Sequence, residues 1–325
     1  MSFWNTLPKP IFCLAPMADV TDPAFRKLIA KYGKPDVFWT EFVSADGLFM
    51  GGKDVLIQDL AFSPEEHPIV AQFFTNNIGH LKQAVALAVE LGFDGVDINM
   101  GCPDRSIEKQ GSGAAHIKDP DHAVELIEAA KESAKEKAGE KKPIPISVKT
   151  RLGYNRDELD TWLPKLLSAE PAVITFHART RKEMSKVPAH WDRITDAVRI
   201  RDDCKSKTLI FGNGDVLLLE EAEEKVGETG CDGIMIGKGI FGNPWLFNKD
   251  VHKEDLDTAT ILRTMIEHTK LFEEMLPHKN FAIMKKHYKA YVNGFDGAKE
   301  LRMSLMEAED AVEVETITEA FIRTL

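Results

Sequence analysis

Cysteine is scarce in this chain and never clustered. Cys13, Cys102, Cys204 and Cys231 are scattered with no CxxC pair, which argues against a zinc site or a disulfide scaffold and suits a reducing, cytoplasmic setting. No metal is expected. Long hydrophobic runs are missing as well. No stretch approaches the roughly 18 apolar residues of a membrane span, and the opening Met-Ser-Phe-Trp-Asn-Thr-Leu-Pro lacks the charged-then-apolar order of a signal peptide, so no membrane role is expected. Positive charge is in the minority, with 41 Lys and Arg against 52 Asp and Glu and a net charge of −11. Phosphate neutralisation supplies most of a nucleic-acid binder's affinity, so this balance argues against RNA unless a local basic face supplies the contacts. No GxGxxG follows the first apolar run, which weakens a doubly wound dinucleotide fold.

What is present is a repeat of strand and helix. With 325 residues and 43% hydrophobic content the chain can bury a large core. Short apolar runs at 11–15, 37–41, 69–73, 96–100, 145–149, 173–176, 208–211 and 233–236 read as strands. Between them lie amphipathic patterns, such as Phe25, Leu28, Ile29 and Tyr32 after Asp22-Pro23, or Ala123, Leu126, Ile127 and Ala130 after Asp119-Pro120. Further helices are expected near 157–168, 190–203 and 217–229. Eight such units predict an α/β fold, a closed (β/α)8 TIM barrel, with an open doubly wound sheet as the competing arrangement. After Trp245-Leu246-Phe247 the alternation stops and the pattern is helical to the end, so a small C-terminal all-helical domain follows. The lysine-rich 131–142 run reads as a solvated helix end and loop.

Chemistry in such barrels gathers where strands exit at the C-terminal face. The fourth strand ends in Asn99-Met100-Gly101-Cys102-Pro103, a loop that holds a thiol between glycine and proline. A cysteine taken alone is more often a buried structural group; here the loop reverses that reading. Lys149 and Arg151 end the fifth strand, and His177 ends the sixth. Gly212-Asn213-Gly214-Asp215 ends the seventh and Gly237-Lys238-Gly239 the eighth. The last two loops, read together, make a phosphate cradle of glycine-exposed N–H groups, although Gly-Asn-Gly-Asp alone is equally a tight turn.

The Asn-x-Gly-Cys-Pro loop, with the small pair Gly113-Ala114 ten positions after the proline, resembles the dihydrouridine synthase family of flavin-dependent tRNA-modifying enzymes. The resemblance covers most of the chain. It implies an FMN-binding catalytic barrel over residues 1–248 and a helical tRNA-binding domain over 255–325. It places FMN against Pro16, Met17, Gln72, Lys149, His177, Asn213, Gly214, Asp215, Gly237 and Lys238, with NADPH as the reductant. Many relatives carry arginine where Lys238 stands; lysine keeps the charge and loses the bidentate fork. Cys102 would be the general acid that protonates C5 of a tRNA uracil while C6 takes a hydride, and Asn99 would orient the base. A thiol suits that role because its ordinary pKa leaves it protonated at neutral pH.

RNA contact is expected from the 279–302 segment, where Lys279, Lys285, Lys286, Lys289, Lys299 and Arg302 outnumber Asp296 and Glu300, with Tyr288 and Tyr291 interleaved. Lys285 and Lys286 are its leading candidates; the plainer reading is a solvated helix face. Arg179 and Arg181, just past His177, are candidates at the mouth of the site. No protein partner is implied. The alternative function is another FMN-dependent barrel oxidoreductase, an ene-reductase or dihydropyrimidine type acting on a free small molecule.

Overall fold

The computed structural model describes residues 2–325. Eight parallel strands form one sheet: β1 Ile11–Leu14, β2 Phe38–Ser44, β3 Ile69–Phe74, β4 Gly95–Met100, β5 Ile146–Arg151, β6 Val173–His177, β7 Leu209–Asn213 and β8 Gly233–Ile236. Each strand pairs with its sequence neighbour, and β1 pairs with β8. A parallel bridge between Cys13 and Val37 then joins β1 to β2, with the Leu14 amide donating to the Val37 carbonyl at 3.3 Å. The sheet is thus closed into the expected (β/α)8 barrel, and no long strand edge is left for the open arrangement.

Because side chains alternate along a strand, each strand contributes to two cores. Val96, Ile98 and Met100 of β4 point outward into the large layer between barrel and helices. The other set points into the barrel, where Cys13, Trp39, Val70, Phe211 and Met235 fill one part of the interior. Trp4 closes the N-terminal end, its ring 5.8 Å from Trp39 and edge-on to Phe211 at 5.7 Å.

The helices begin where the caps predict. The Asp22 carboxylate accepts from the Phe25 amide at 2.9 Å to start Pro23–Tyr32, and Asp119 caps Pro120–Ala138. The outer helices Leu159–Ser168, Trp191–Asp203 and Leu219–Thr229 lie close to the expected positions. Two features differ. β2 extends beyond 37–41 to Ser44, through a register shift on β3 between Trp39 and Phe42. Residues 45–60 then form short helical turns, too short to carry a face pattern in the sequence.

Beyond β8 come the helices Thr258–Met275, Lys285–Tyr291, Ala298–Glu307 and Ala311–Ile322. They share a second core that includes Met265, Phe272, Tyr288, Tyr291 and Leu305 and takes in Ala24 from the first barrel helix. Phe25 of that helix stacks on His268, with ring centroids 4.4 Å apart. The helical stretch expected over 281–292 starts with a 3-10 turn, Phe281–Met284. No helix among the described residues is long and apolar enough to cross a membrane.

Candidate active site

The thiol loop is held from three sides. The Asn99 side-chain oxygen accepts the Gly101 amide at 3.1 Å and the Cys102 amide at 2.9 Å, so the turn after β4 is built on that side chain. From the second side, the Ala114 amide donates to the Cys102 carbonyl at 2.9 Å. Gly113 makes this approach possible: its φ is +63°, and a Cβ there would lie 2.7 Å from the same carbonyl oxygen. From the third, Arg151 Nε donates to the Gly101 carbonyl at 2.8 Å while its Nη1 holds the Thr180 and Met184 carbonyls. Burial pushes the Cys102 thiol up, which keeps it protonated at neutral pH.

Next to this loop the strand exits enclose a cleft. Its lining includes every expected cofactor residue except Gln72: Pro16, Met17, Lys149, His177, Asn213, Gly214, Asp215, Gly237 and Lys238. Lys149 Nζ donates to Asn213 Oδ1 at 3.3 Å, and Asn213 Nδ2 donates to the Met235 carbonyl at 2.7 Å, which ties β5, β7 and β8 together. Burial first, and then the Arg151 charge, bring the Lys149 ammonium down to about 8. His177 is held far below its ordinary value by burial and by the surrounding cations, so it is a neutral imidazole. Its Nε2 accepts from Arg179 Nη1 at 3.1 Å, which puts the ring proton on Nδ1. Gly214 has φ +130°, and a Cβ there would come within 3.1 Å of Ala189 and 3.2 Å of His177. The turn after β7 therefore needs glycine for its shape and presents bare backbone.

Several expected site residues have other partners. Gln72 is fully buried and outside the cleft; it donates to Asp97 at 2.6 Å and accepts from Asn99 at 3.1 Å. Arg179, expected at the mouth, is 3% exposed and lines the cleft, where it holds the Asp215 carboxylate, His177 and the Val187 carbonyl. That pairing lowers Asp215 from its ordinary carboxylate value, so the acid is charged and neutralised in place. Arg181 grips Glu108 bidentately beside the Tyr154 ring and so links the β6 loop to the helix Arg105–Lys109 that follows the thiol loop.

The basic C-terminal segment differs most from its sequence reading. Tyr288, Tyr291 and His287 are buried, because they sit on the inner face of their helix and fill the second core; no stacking platform for bases forms from them. Lys279 is enclosed by Glu41 at 3.0 Å and Asp59 at 2.9 Å. Lys285 donates to the Met306 carbonyl, and Arg302 to the Val292 carbonyl. Lys286 lies half-buried near Asp19, Asp22 and Glu41. Lys289 and Lys299 are exposed.

The sequence reading missed Asp97 and Ser147, which lie buried beneath the rim, and Arg151 as a brace. Polar residues inside predicted strands were the available signal. As for a cofactor, the cleft combines Lys149 and Lys238 with the bare Gly214 backbone, and its lining carboxylate, Asp215, is neutralised by Arg179. That donor set fits the phosphate and polar ring edge of FMN.

Fold and rim together define a (β/α)8-barrel enzyme with a cleft lined by Lys149 and Lys238 beside a largely buried thiol. The chain belongs to the dihydrouridine synthase family, whose model matches residues 13–325. A probable tRNA-dihydrouridine synthase 2 of Bacillus subtilis (strain 168) is 40% identical over 99% of this chain and 97% of its own length. A probable tRNA-dihydrouridine synthase of Staphylococcus epidermidis is 37% identical over 98% of this chain and 96% of its own. Among solved structures the barrel is similar to that of a 2-naphthoyl-CoA reductase complex (TM-score 0.57, 11% identity), with 77% of this chain matched to about half, 51%, of that one. It is also similar to morphinone reductase (TM-score 0.51, 11% identity, 74% and 84% covered). These two likenesses concern the fold.

Proposed function

We infer that this protein is a tRNA-dihydrouridine synthase, an oxidoreductase that reduces the C5–C6 double bond of uridines in tRNA. Family membership over nearly the whole chain supports the activity. The observation that carries the chemistry is Cys102, a clamped thiol kept protonated by burial beside a cationic cleft. We assign FMN to that cleft and NADPH as its reductant, and place the work in the cytoplasm, where tRNA and NADPH occur together.

In this reading the turn Asn213–Gly214–Asp215 and Gly237–Lys238 would hold the FMN phosphate, with Lys149 and His177 toward the ring. Bound there, FMN would supply the hydride that uracil C6 accepts. Cys102 delivers the proton to C5, so the base gains two hydrogens in all. The thiolate left behind faces the Arg151 and Lys149 charges, which favour it until it is reprotonated. His177, neutral with its proton on Nδ1, offers a donor without adding charge. Asn99 holds the loop that carries the acid. The uridine must leave its stack to reach the thiol, as in other base-modifying enzymes. We assign catalysis to the barrel, up to residue 248, and part of the tRNA grip to the helices of 255–325 through Lys289 and Lys299.

Nucleoside mass analysis of unmodified tRNA, incubated with the flavin-loaded protein and NADPH, tests this reading. A uridine that gains the mass of two hydrogens is expected. Flavin present and reducible by NADPH, with no such gain on a correctly folded cognate tRNA, would refute it.

A further inference from the structure

Part of the barrel interior is polar where its other side is filled by Cys13, Trp39, Phe211 and Met235. Asp97 of β4 is fully buried there, below Asn99 on the same inward face. Ser147 Oγ donates to Asp97 Oδ1 at 2.7 Å, and Gln72 Nε2 donates to Oδ2 at 2.6 Å. Asn99 Nδ2 then donates to Gln72 Oε1 at 3.1 Å, and Asn99 Oδ1 receives the Gly101 and Cys102 amides. The bonds form one unbroken line from a buried carboxylate to the backbone of the thiol.

We propose that Asp97 is a positioning residue for the protonation step, fixing through Gln72 and Asn99 the sense of a two-amide relay that holds the Cys102 loop. The argument is one of donors and acceptors. A carboxylate only accepts, so Gln72 must turn its NH2 toward it and its oxygen upward. That oxygen admits only the NH2 of Asn99, which leaves the Asn99 oxygen for the loop. Turning Gln72 over would set oxygen against carboxylate and NH2 against NH2. Turning Asn99 over would aim NH2 at two N–H donors. In a buried site each such mismatch leaves groups unpaired, and that penalty keeps the line in a single sense. Burial lifts Asp97 to about 6, and the hydrogen bonds from Gln72 and Ser147 with the nearby Lys149 charge hold it there, so it is an acceptor at neutral pH.

The inference rests on the synthase reading for its catalytic consequence, and one of its readouts does not need tRNA. Three variants are to be compared for flavin content, iodoacetamide alkylation of Cys102 across pH, and kcat and KM for tRNA. Asp97→Asn can still present oxygen to Gln72 and NH2 to Ser147, whose hydroxyl already lies 3.3 Å from the Val96 carbonyl. It should stay within about threefold of the parent in alkylation and kcat, because the relay keeps its sense. Asp97→Leu should lose kcat about tenfold or more with KM within about threefold, and change the Cys102 alkylation rate several-fold. Gln72→Met should repeat the Leu pattern with the carboxylate in place, which covers the case in which Asp97→Leu does not fold. Wild-type alkylation and kcat in Asp97→Leu or Gln72→Met would overturn the proposal. So would Asp97→Asn falling as far as Asp97→Leu, since charge rather than polarity would then be the agent. A parent enzyme that makes no dihydrouridine while alkylation still follows the relay would refute the synthase reading alone.

Discussion

The barrel rim and the C-terminal helices both carry clustered cations, and the two clusters do opposite things. At the rim, Lys149 and Lys238 face one cleft, while Arg151 braces the thiol loop and Arg179 is paired with Asp215. In the helices, Lys279, Lys285 and Arg302 are spent on carboxylates and backbone carbonyls that hold the helices together and against the barrel. Uncompensated cationic charge that is partly buried depresses neighbouring pKa values and attracts an anion; a compensated charge does neither, and removing it strands its partner. We assign chemistry to the first cluster, whereas the second is largely architecture, although the sequence presents the second more loudly.

That contrast can be broken in order of expected effect. Cys102→Ala should lose dihydrouridine formation about a hundredfold or more while keeping flavin and NADPH oxidation; product measured by nucleoside mass analysis decides it. If FMN binds as we assign it, Lys149→Met should lower the rate about a hundredfold by removing the charge that would lie beside the reduced ring. In the parent enzyme the rate should fall as pH rises through about 8, where Lys149 loses its proton, and Lys149→Arg should move that limb upward. A pH profile that is flat through that point in the parent would remove Lys149 from the mechanism. Lys279→Met, which strands Glu41 and Asp59 together, should cost about 2–3 kcal/mol of stability in a denaturant titration, with tRNA affinity unchanged. Lys238→Ala should weaken FMN affinity about tenfold, read by flavin release. Smallest, the double change Lys289→Glu with Lys299→Glu should weaken tRNA a few-fold and reduce the salt slope by about 2, because these two cations are exposed. No change in that slope would move the RNA grip wholly to the barrel.

Much of the architecture is legible in the amino-acid order alone. Eight apolar runs, capped helices and polar strand exits lead to the barrel, and Lys149, His177, Asn213 and Lys238 lie together because exits share one face. Asp97 is not legible in that way. Between Val96 and Ile98 it reads as the wet side of a strand, but in a closed barrel both faces are buried, so an inward carboxylate must be paired. Tyr288 and Tyr291 mislead for the converse reason: aromatics among lysines read as a binding face when they are the buried stripe of an amphipathic helix. Arg179 lies in a loop, where no period says which way a side chain turns.

The most direct test is a single turnover of NADPH-reduced, flavin-loaded enzyme with unmodified tRNA, comparing the parent with Cys102→Ala. The account predicts dihydrouridine from the parent, and from the variant a reduced flavin that forms normally but yields almost none. Equal product from both would show that the proton comes from elsewhere, and the clamped thiol would lose its place at the centre of the mechanism.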